Sequence, residues 1–520
     1  MYGQSNLSRM KIVRDDSIRV SDANRQGNDE KDPTFMDRLE HWSDETTFHG
    51  FKEFIHRDVS KARRVIWFIM VWCCMGYFVN ILINRILYFA SYPHSTKVDV
   101  TYVPKIAFPA ITICNVNSVR LSPLTDNDLY HAGRAYGIFT KNWELEHAKH
   151  YPESFQKRVA SIDWPNYKPD GPFDVAEFTK RTGHQIEDML LTCKWREFTC
   201  GPQNFSHIIT DYGNCYTFNE GPSVGELLHS TKPGRGNGLR LYLNIEEYDY
   251  LHTDRVTNAG LKILLHSQTE PPLMEELGYG LEPESNYFIA VRKNEITSLP
   301  APYGDCVTDE MTDTKYFKHY SAAGCRIECQ TQLIIDKCKC RHMDQPPLGD
   351  AKICDMDKIE FCVEPELERI MEGNGCICKS PCKYDNFDMV ASSLRIRNET
   401  IEKMMESKPN IARPDVLSKN IVGLNVFFES LNFETVEQFV VYPSESLFGD
   451  IGGQFGLFVG ASVLTIAHFL EYLFDEIGIL LRRLRYGRDY NRNKIPMNRS
   501  LLVQVTDSNG YVTTEYVSSV

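Results

Sequence analysis

The chain has 520 residues, 42% of them hydrophobic, and a formal net charge of −13 from 57 basic and 70 acidic side chains. That length allows several domains, and so ordinary a hydrophobicity excludes a chain lying wholly in the membrane. The acidic balance lacks the basic footprint of a nucleic-acid binder, and no nucleic-acid partner is expected.

Residues 1–40, with the stretch "SDANRQGNDEKDP", are polar and charged. They read as a disordered cytoplasmic arm and not as a cleavable signal peptide. Val65 to Ile83 follows, 19 residues without a charge. As a helix it reaches about 28 Å, close to the thickness of a bilayer core. A second uncharged run, the 17 residues from Ile451 to Ala467, lies near the other end. Buried core helices are the alternative for both runs; membrane spans account better for their length. Lys61, Arg63 and Arg64 precede the first run, and Arg482, Arg483, Arg485 and Arg488 follow the second. Basic flanks stay on the cytoplasmic side, so both termini are expected there and everything between the spans outside a plasma membrane. The implied partition is a cytoplasmic segment 1–64, a first span 65–90, an extracellular domain 91–443, a second span 444–474 and a cytoplasmic tail 475–520.

The cysteines support this sidedness independently. Of 16, Cys73 and Cys74 lie in the first span and the other 14 fall between Cys114 and Cys382. An even number confined to one loop is the mark of an oxidising compartment. The sequons at Asn204 and Asn398 fall in the same loop as candidate glycosylation sites, whereas those at Asn6 and Asn498 face the cytoplasm and stay unused.

Within the loop, "RLYLNIEEYDYL" and "AGLKILLHSQ" read as β-type runs between turns. "CRIECQTQLIIDKCKC" reads as a helix with Cys325 and Cys329 on one face. Cys376 and Cys378 share a face if their segment is extended. Four helical residues rise about 6 Å and two extended ones about 6.6 Å, so two parallel disulfides fit between the segments. Zinc is the competing reading of such cysteines, set aside because histidines at ligand spacing are missing from that segment. No metal, cofactor, nucleophile constellation or phosphate loop is expected, and the chain does not read as an enzyme.

The second span is crowded with glycine. Gly449, Gly453, Gly456 and Gly460 are spaced 4, 3 and 4, so they form one stripe along a helix. Small residues let helices approach closely in lipid, where helix propensity in water matters less. Simple helix packing accounts for this without a conduit. Charge placement favours a cation pore: Asp450 lies at the outer end, and His468, Glu471, Asp475 and Glu476 lie at the inner end. A helix break near Gly460-Ala461-Ser462 is also expected, with carbonyls turned toward protein or a wet cavity. The chain ends Ser518-Ser519-Val520, a pattern suited to adding a strand to a PDZ domain.

Several stretches occur together in order: "FHG" at Phe48–Gly50, "FPAITICN" at Phe108–Asn115, "DLYHAG" at Asp128–Gly133, "YGNCYTFN" at Tyr212–Asn219, "FFESLNFETVEQ" at Phe427–Gln438, and the second span. On these the chain resembles the degenerin/epithelial sodium channel superfamily, and most closely its acid-sensing ion channels, from about Phe48 to Tyr472. The resemblance implies an α+β membrane protein with two transmembrane helices per subunit, assembled as a homotrimer or as a heterotrimer with related subunits. The extracellular domain is expected to have a β-sheet palm, ball and knuckle with helical thumb and finger. It implies disulfides Cys114–Cys215, Cys193–Cys200, Cys306–Cys382, Cys325–Cys378, Cys329–Cys376, Cys338–Cys362 and Cys340–Cys354.

It also implies roles. Gly460, Ala461 and Ser462 match a constriction that helps select sodium, with Glu471 at the inner mouth. Gly449, Asp450 and Gly453 match the gate, and His49-Gly50 a motif lining the inner vestibule. Leu431-Asn432 match a linker that rearranges in desensitisation. His94 and Asp99 match a palm pair implicated in the response to protons, with Lys232 in the partner region across the subunit boundary. His468 departs from the family's usual glutamate, and the finger loop "LHTDRVTNAG" is short and poor in acid. Tyr303 replaces a usual tryptophan. The expected function is a proton-opened, sodium-permeable, amiloride-sensitive cation channel whose partners are membrane lipid, sodium ions and protons. A neuropeptide-gated channel of the same fold is the first alternative, and a two-span receptor without conduction the second.

Overall fold

A computed structural model describes residues 34–221, 226–252, 257–311, 314–373, 375–407 and 414–486, and the backbone of strands 501–506 and 512–517. Asn6, Arg488, Asn498 and the Ser518-Ser519-Val520 terminus lie outside the described residues, as does part of the finger loop. The chain forms two compact units, one from Met1–Ala90 with Ser444–Val520 and one from Ser91–Pro443.

In the first unit, α1 (Phe35–Glu45) starts at Thr34, whose side chain accepts from the Asp37 N–H while the Asp37 carboxylate accepts from the Thr34 N–H. This reciprocal cap satisfies two donors that a helix start leaves unpaired. A short α2 (Phe51–Ile55) follows Gly50. Helix α3 (Lys61–Ala90) is 30 residues long and buries only Phe78. It is the one described helix long and apolar enough to cross a membrane unaided; α4 (Ser444–Val459) and α5 (Val463–Tyr486) meet both conditions only together, as a pair bent by 69°.

In the second unit the core lies between two sheets. The larger has seven strands and is organised by the 20-residue strand Ile421–Val440. Its first part pairs antiparallel with Leu239–Asn244, its last part antiparallel with His94–Tyr102, and its stretch from Gly423 to Glu437 runs parallel to Ser285–Thr297 across one register shift. The smaller sheet has five strands, with Ala110–Asn115 between Leu261–His266 and Gly213–Phe218. Leu239, Leu241 and Leu243 are fully buried and alternate with the half-exposed Arg240 and Tyr242, the two-residue period of a strand with one wet face. Ile421 to Phe428 is buried on both faces except for Phe427, as a central strand should be. The run "RLYLNIEEYDYL" is therefore strand only to Asn244; Glu247–Asp249 forms a 3-10 turn instead. A second apolar core, including Leu129, Phe155, Trp164 and Phe178, sits among the helices.

The seven disulfides join Cys114–Cys215, Cys193–Cys200, Cys306–Cys382, Cys325–Cys378, Cys329–Cys376, Cys338–Cys362 and Cys340–Cys354. Two of them staple the helix Ala322–Cys338 to the segment at Cys376–Cys378, each across a Cα separation of 5.9 Å. Equal spans are what matched rises along a helix and an extended chain require. That segment is an irregular loop rather than a sheet strand. The Cys114–Cys215 bridge closes 101 residues, and in chain-entropy terms a loop of that size contributes about 4–5 kcal/mol.

Gly238 shows how tightly the long strand is held. A Cβ there would lie 1.9 Å from the Val426 carbonyl oxygen, which cannot move without breaking the ladder. Gly238→Ala is expected to cost more than about 3 kcal/mol and to retain the chain before the cell surface. Gly236→Ala, where nothing lies within 4 Å, should be delivered normally; surface biotinylation of the two variants compares them.

Candidate functional site

The break between α4 and α5 is written in three residues. Gly460 has φ +71°, a left-handed conformation that glycine adopts without strain, and its N–H bonds to the Gly456 carbonyl at 3.0 Å. This closes α4. Ser462 then opens α5: its Oγ accepts from the Thr465 N–H at 3.3 Å, and Thr465 Oγ1 accepts from the Ser462 N–H at 3.1 Å. The glycine is a helix stop and the serine a helix start. Gly460 consequently leaves the helix and does not belong to the stripe, which ends at Gly456.

The segment before α2 seats itself on this break. The His49 N–H donates to the Val459 carbonyl at 2.9 Å, so that carbonyl is taken within the chain and does not face a cavity. A Cβ on Gly460 would lie 2.3 Å from His49 Cδ2, so the imidazole occupies the space that any other residue would need. Gly50 turns the chain at φ +77°, and its missing Cβ leaves room for Val71 and Trp67 of α3. Thr47 Oγ1 and Thr465 Oγ1 share a hydrogen bond at 2.6 Å. Phe78, Val459 and Ala461 are buried together, with Phe48 and Phe455 packed beside them.

Further along α5, Trp42 stacks on Tyr472 with ring centroids 5.3 Å apart and meets Phe469 at 5.5 Å. Glu476 takes both Nε and Nη2 of Arg38, at 2.5 and 2.9 Å. His468 lies 3.8 Å from Glu45. Glu471 and Asp475 are exposed. At the other end, Asp450 is not a bare acid: Arg85 of α3 stands 3.4 Å away. Arg85 was legible as the one charge of the first span beyond Ile83, and an ionisable residue at such a position demands a partner. Gly449, Gly452 and Gly453 have nothing within 4 Å of where a Cβ would sit. Their stripe finds no packing partner in its own chain.

The other candidate residues lie in the second unit. His94 is the first residue of an edge strand exposed along its whole length, and pairs with Val440. Its Nδ1 is 3.3 Å from the Tyr92 carbonyl. The expectation that Asp99 sits beside it fails. The register runs without a shift from His94 to Tyr102, and five residues along a strand put the two side chains on opposite faces, about 16 Å apart along it. Asp99 pairs instead with Lys97 on its own face, Nζ to Oδ2 at 2.5 Å. Lys232 is exposed and meets neither in this chain's described contacts.

Leu431-Asn432 occupies a bulge. Between Val291 opposite Phe428 and Lys293 opposite Phe433 the register slips, and here the long strand exchanges one partner for another. The Leu431 carbonyl accepts from the Val103 N–H at 3.1 Å, Ser430 Oγ bonds Asn432, and Arg292 holds Glu429 at 2.6 Å. Tyr303 meets Tyr92 edge-on with centroids 5.4 Å apart. Asn204 and Asn398 are both exposed.

Two further ionisable pairs stand in the second unit, one between separate segments and one within a single loop. His184 Nδ1 lies 2.8 Å from Glu246 in the core, and burial pushes its pKa below the usual 6.5 although Glu246 pulls the other way. His342 bonds Asp344. Burial pushes His342 down too, but Asp344 outweighs it and the net shift is upward from 6.5. Its contribution to stability is complete below 6.5 and is lost as pH rises through the raised value, whereas that of neutral His184 is lost as pH falls below 6.5.

The contact of the first segment with α5 is directly checkable. A Thr47→Cys, Thr465→Cys pair, with Cys73 and Cys74 replaced by serine, should crosslink within the chain under mild oxidation. Pairing Thr47→Cys with Gly449→Cys should give no crosslink; mass spectrometry of the linked peptides reads both.

The family profile of amiloride-sensitive sodium channels matches residues 42–472. Acid-sensing ion channel 2 of Homo sapiens is 38% identical over 441 residues, covering 83% of this chain and 85% of that protein. Acid-sensing ion channel 1C of Danio rerio is 35% identical over 470 residues, 88% of each, and acid-sensing ion channel 1 of Gallus gallus 35% over 464, covering 88% and 87%. With one profile spanning from α1 to α5 and relatives aligned over most of both chains, this chain belongs to the amiloride-sensitive sodium channel family.

Proposed function

We propose that the chain is a subunit of a plasma-membrane sodium channel of the acid-sensing type, opened by extracellular protons and blocked by amiloride. Three copies, alike or with related subunits, surround one axis; α3 and the α4–α5 pair cross the bilayer, and both termini are cytoplasmic. The observation that carries this reading is the glycine face of α4. Gly449, Gly452 and Gly453 border open space in their own chain, and helices from neighbouring copies are what such a face accepts in lipid. Gly449, Asp450 and Gly453 then form the gate. The Gly460-Ala461-Ser462 break forms the narrowest passage, clasped from outside by His49-Gly50, with Glu471 at its inner mouth. The Leu431-Asn432 bulge supplies the rearrangement of desensitisation, and Val520 a PDZ contact.

The proton response is assigned to His94. Its strand leaves α3 after four residues, and Val440, its ladder partner, lies four residues before α4 begins. The Val441 N–H bonds the Pro93 carbonyl at 3.0 Å, tying the two strands together where they lead into the helices. A histidine titrates in mildly acidic fluid, and a proton shifts gating only by binding the open state more tightly than the resting one. One pKa unit of difference supplies about 1.4 kcal/mol per site, about 4 kcal/mol for three. The placement of Asp99 on the opposite face favours a second reading, a peptide-opened channel of the same fold, since His94 lacks the counter-ion expected for it.

Whole-cell recording from cells expressing this chain alone separates the two. An acid step to about pH 5 should open an amiloride-blocked current reversing near the sodium potential. His94→Ala should abolish it or shift half-activation acid by at least about half a pH unit at unchanged surface expression, and Asp99→Asn should do less. A normal acid response in His94→Ala removes the sensor assignment. No acid current beside a robust peptide response establishes the second reading.

A further inference from the structure

The sequon Asn204-Phe205-Ser206 sits at one edge of the five-stranded sheet, and the channel reading makes no use of it. Asn204 is the last residue of the 3-10 turn Pro202–Asn204, which runs straight into the strand Phe205–Thr210. The turn is closed twice. The Asn204 N–H donates to the Gly201 carbonyl at 3.0 Å, and the Gly201 N–H donates to Asn204 Oδ1 at 3.0 Å. With its oxygen held against the turn, this exposed side chain leaves Nδ2 for solvent. Ser206 is the opposite case. Its Oγ is buried and has no hydrogen-bond partner among the described residues. A buried hydroxyl without a partner costs stability that alanine would not, so the folded strand does not explain this serine.

The strand that follows is an open edge. Among the described strands Phe205–Thr210 pairs only with Gly213–Phe218, in unbroken register from Phe205 opposite Phe218 to Thr210 opposite Gly213. Its sequence, "FSHIIT", holds no lysine, arginine, proline or carboxylate, and no bulge turns it away. Edges of that kind invite a second strand unless something covers them. The edge on the far side of the same sheet is a strand of only three residues, Tyr279–Leu281.

We infer that Asn204 carries an N-linked oligosaccharide, attached before its strand folds, which covers this edge and keeps it from pairing with another chain. The inference rests on the placement of this unit outside the membrane. In the transfer, Asn204 Nδ2 forms a bond to the first sugar carbon of a lipid-pyrophosphate-linked oligosaccharide. The bond from that carbon to the pyrophosphate oxygen breaks, the amide gives up one proton, and lipid pyrophosphate leaves. The acceptor pattern requires a hydroxyl two residues after the asparagine, and Ser206 supplies it. Because that hydroxyl is buried in the folded sheet, the transfer takes place on the extended chain, before Phe205–Thr210 joins Gly213–Phe218. The sugar then stands at the first residue before the edge, where a pairing strand would have to lie.

The test uses the full-length chain made in cultured animal cells. Enzymatic release of N-linked sugar in heavy-oxygen water, followed by peptide mass spectrometry, should mark Asn204 as occupied. Asn204→Gln and Ser206→Ala should each lose that one glycan, and Ser206→Thr should keep it. On gel filtration in detergent the two sugar-free variants should shift toward species larger than the native assembly. Ser206→Ala removes an unpaired buried hydroxyl, so loss of stability does not account for such a shift in it. Adding Ile209→Lys, at a half-exposed position of the same strand, should reverse the shift, because a charge guards an edge as the sugar does. A bare Asn204 in the native chain overturns the inference, and so do sugar-free variants that elute as the native chain does. Glu197→Asn places a further sequon, with Thr199, on the exposed hairpin before the turn. Sugar there beside a bare Asn204 removes this inference alone, whereas sugar at neither position removes the extracellular placement as well.

Discussion

Everything in the membrane-side unit turns on one close approach. The His49 ring lies where a Cβ of Gly460 would be, and the His49 N–H takes the carbonyl that ends α4. A straight helix through Gly460 would fill that space and keep Val459 in its own ladder; a broken one leaves a carbonyl that something must satisfy. The break and the clasp therefore require each other. Around this point, Thr47 on Thr465, Trp42 on Tyr472 and Arg38 on Glu476 lay the first segment along α5 for several turns. The segment before α2 thereby becomes part of the wall behind the break.

The cysteine-rich unit solves a different problem. Seven disulfides and two apolar cores hold the frame. The strand Ile421–Val440 is its spine, fully buried in its first part and half-exposed after the bulge. The change of partner at Leu431-Asn432 is where a strand can shift without tearing a continuous ladder.

Much of this was legible in the sequence, and the reasons are local. Uncharged runs of helix length, basic flanks and cysteines confined to one loop are patterns that neighbouring residues write alone. The parallel staple followed from the rises of a helix and an extended chain. The break at Gly460-Ala461-Ser462 was legible too, since glycine stops a helix and serine starts one. What escaped depends on register and on loops meeting in space. Asp99 lies only five residues from His94 in the chain, but strand alternation sends it to the other face. The stripe was drawn one glycine too far, because spacing alone cannot see a positive φ. Arg85 beside Asp450 and His184 beside Glu246 are pairings between segments, and no period or motif announces which partner each will meet.

We propose that the clasp of His49 on Gly460 shapes the ion pathway, and reversal potentials can read this out. Sodium against potassium should be compared in the native chain, in Gly460→Ala, and in Gly460→Ala with His49→Ala, at matched surface expression. The added methyl should collide with the imidazole, and Gly460→Ala should lose sodium preference or current. Removing the ring should restore part of it, the remaining deficit reflecting a strained φ worth about 1 kcal/mol. Unchanged current and selectivity in Gly460→Ala would contradict the claim.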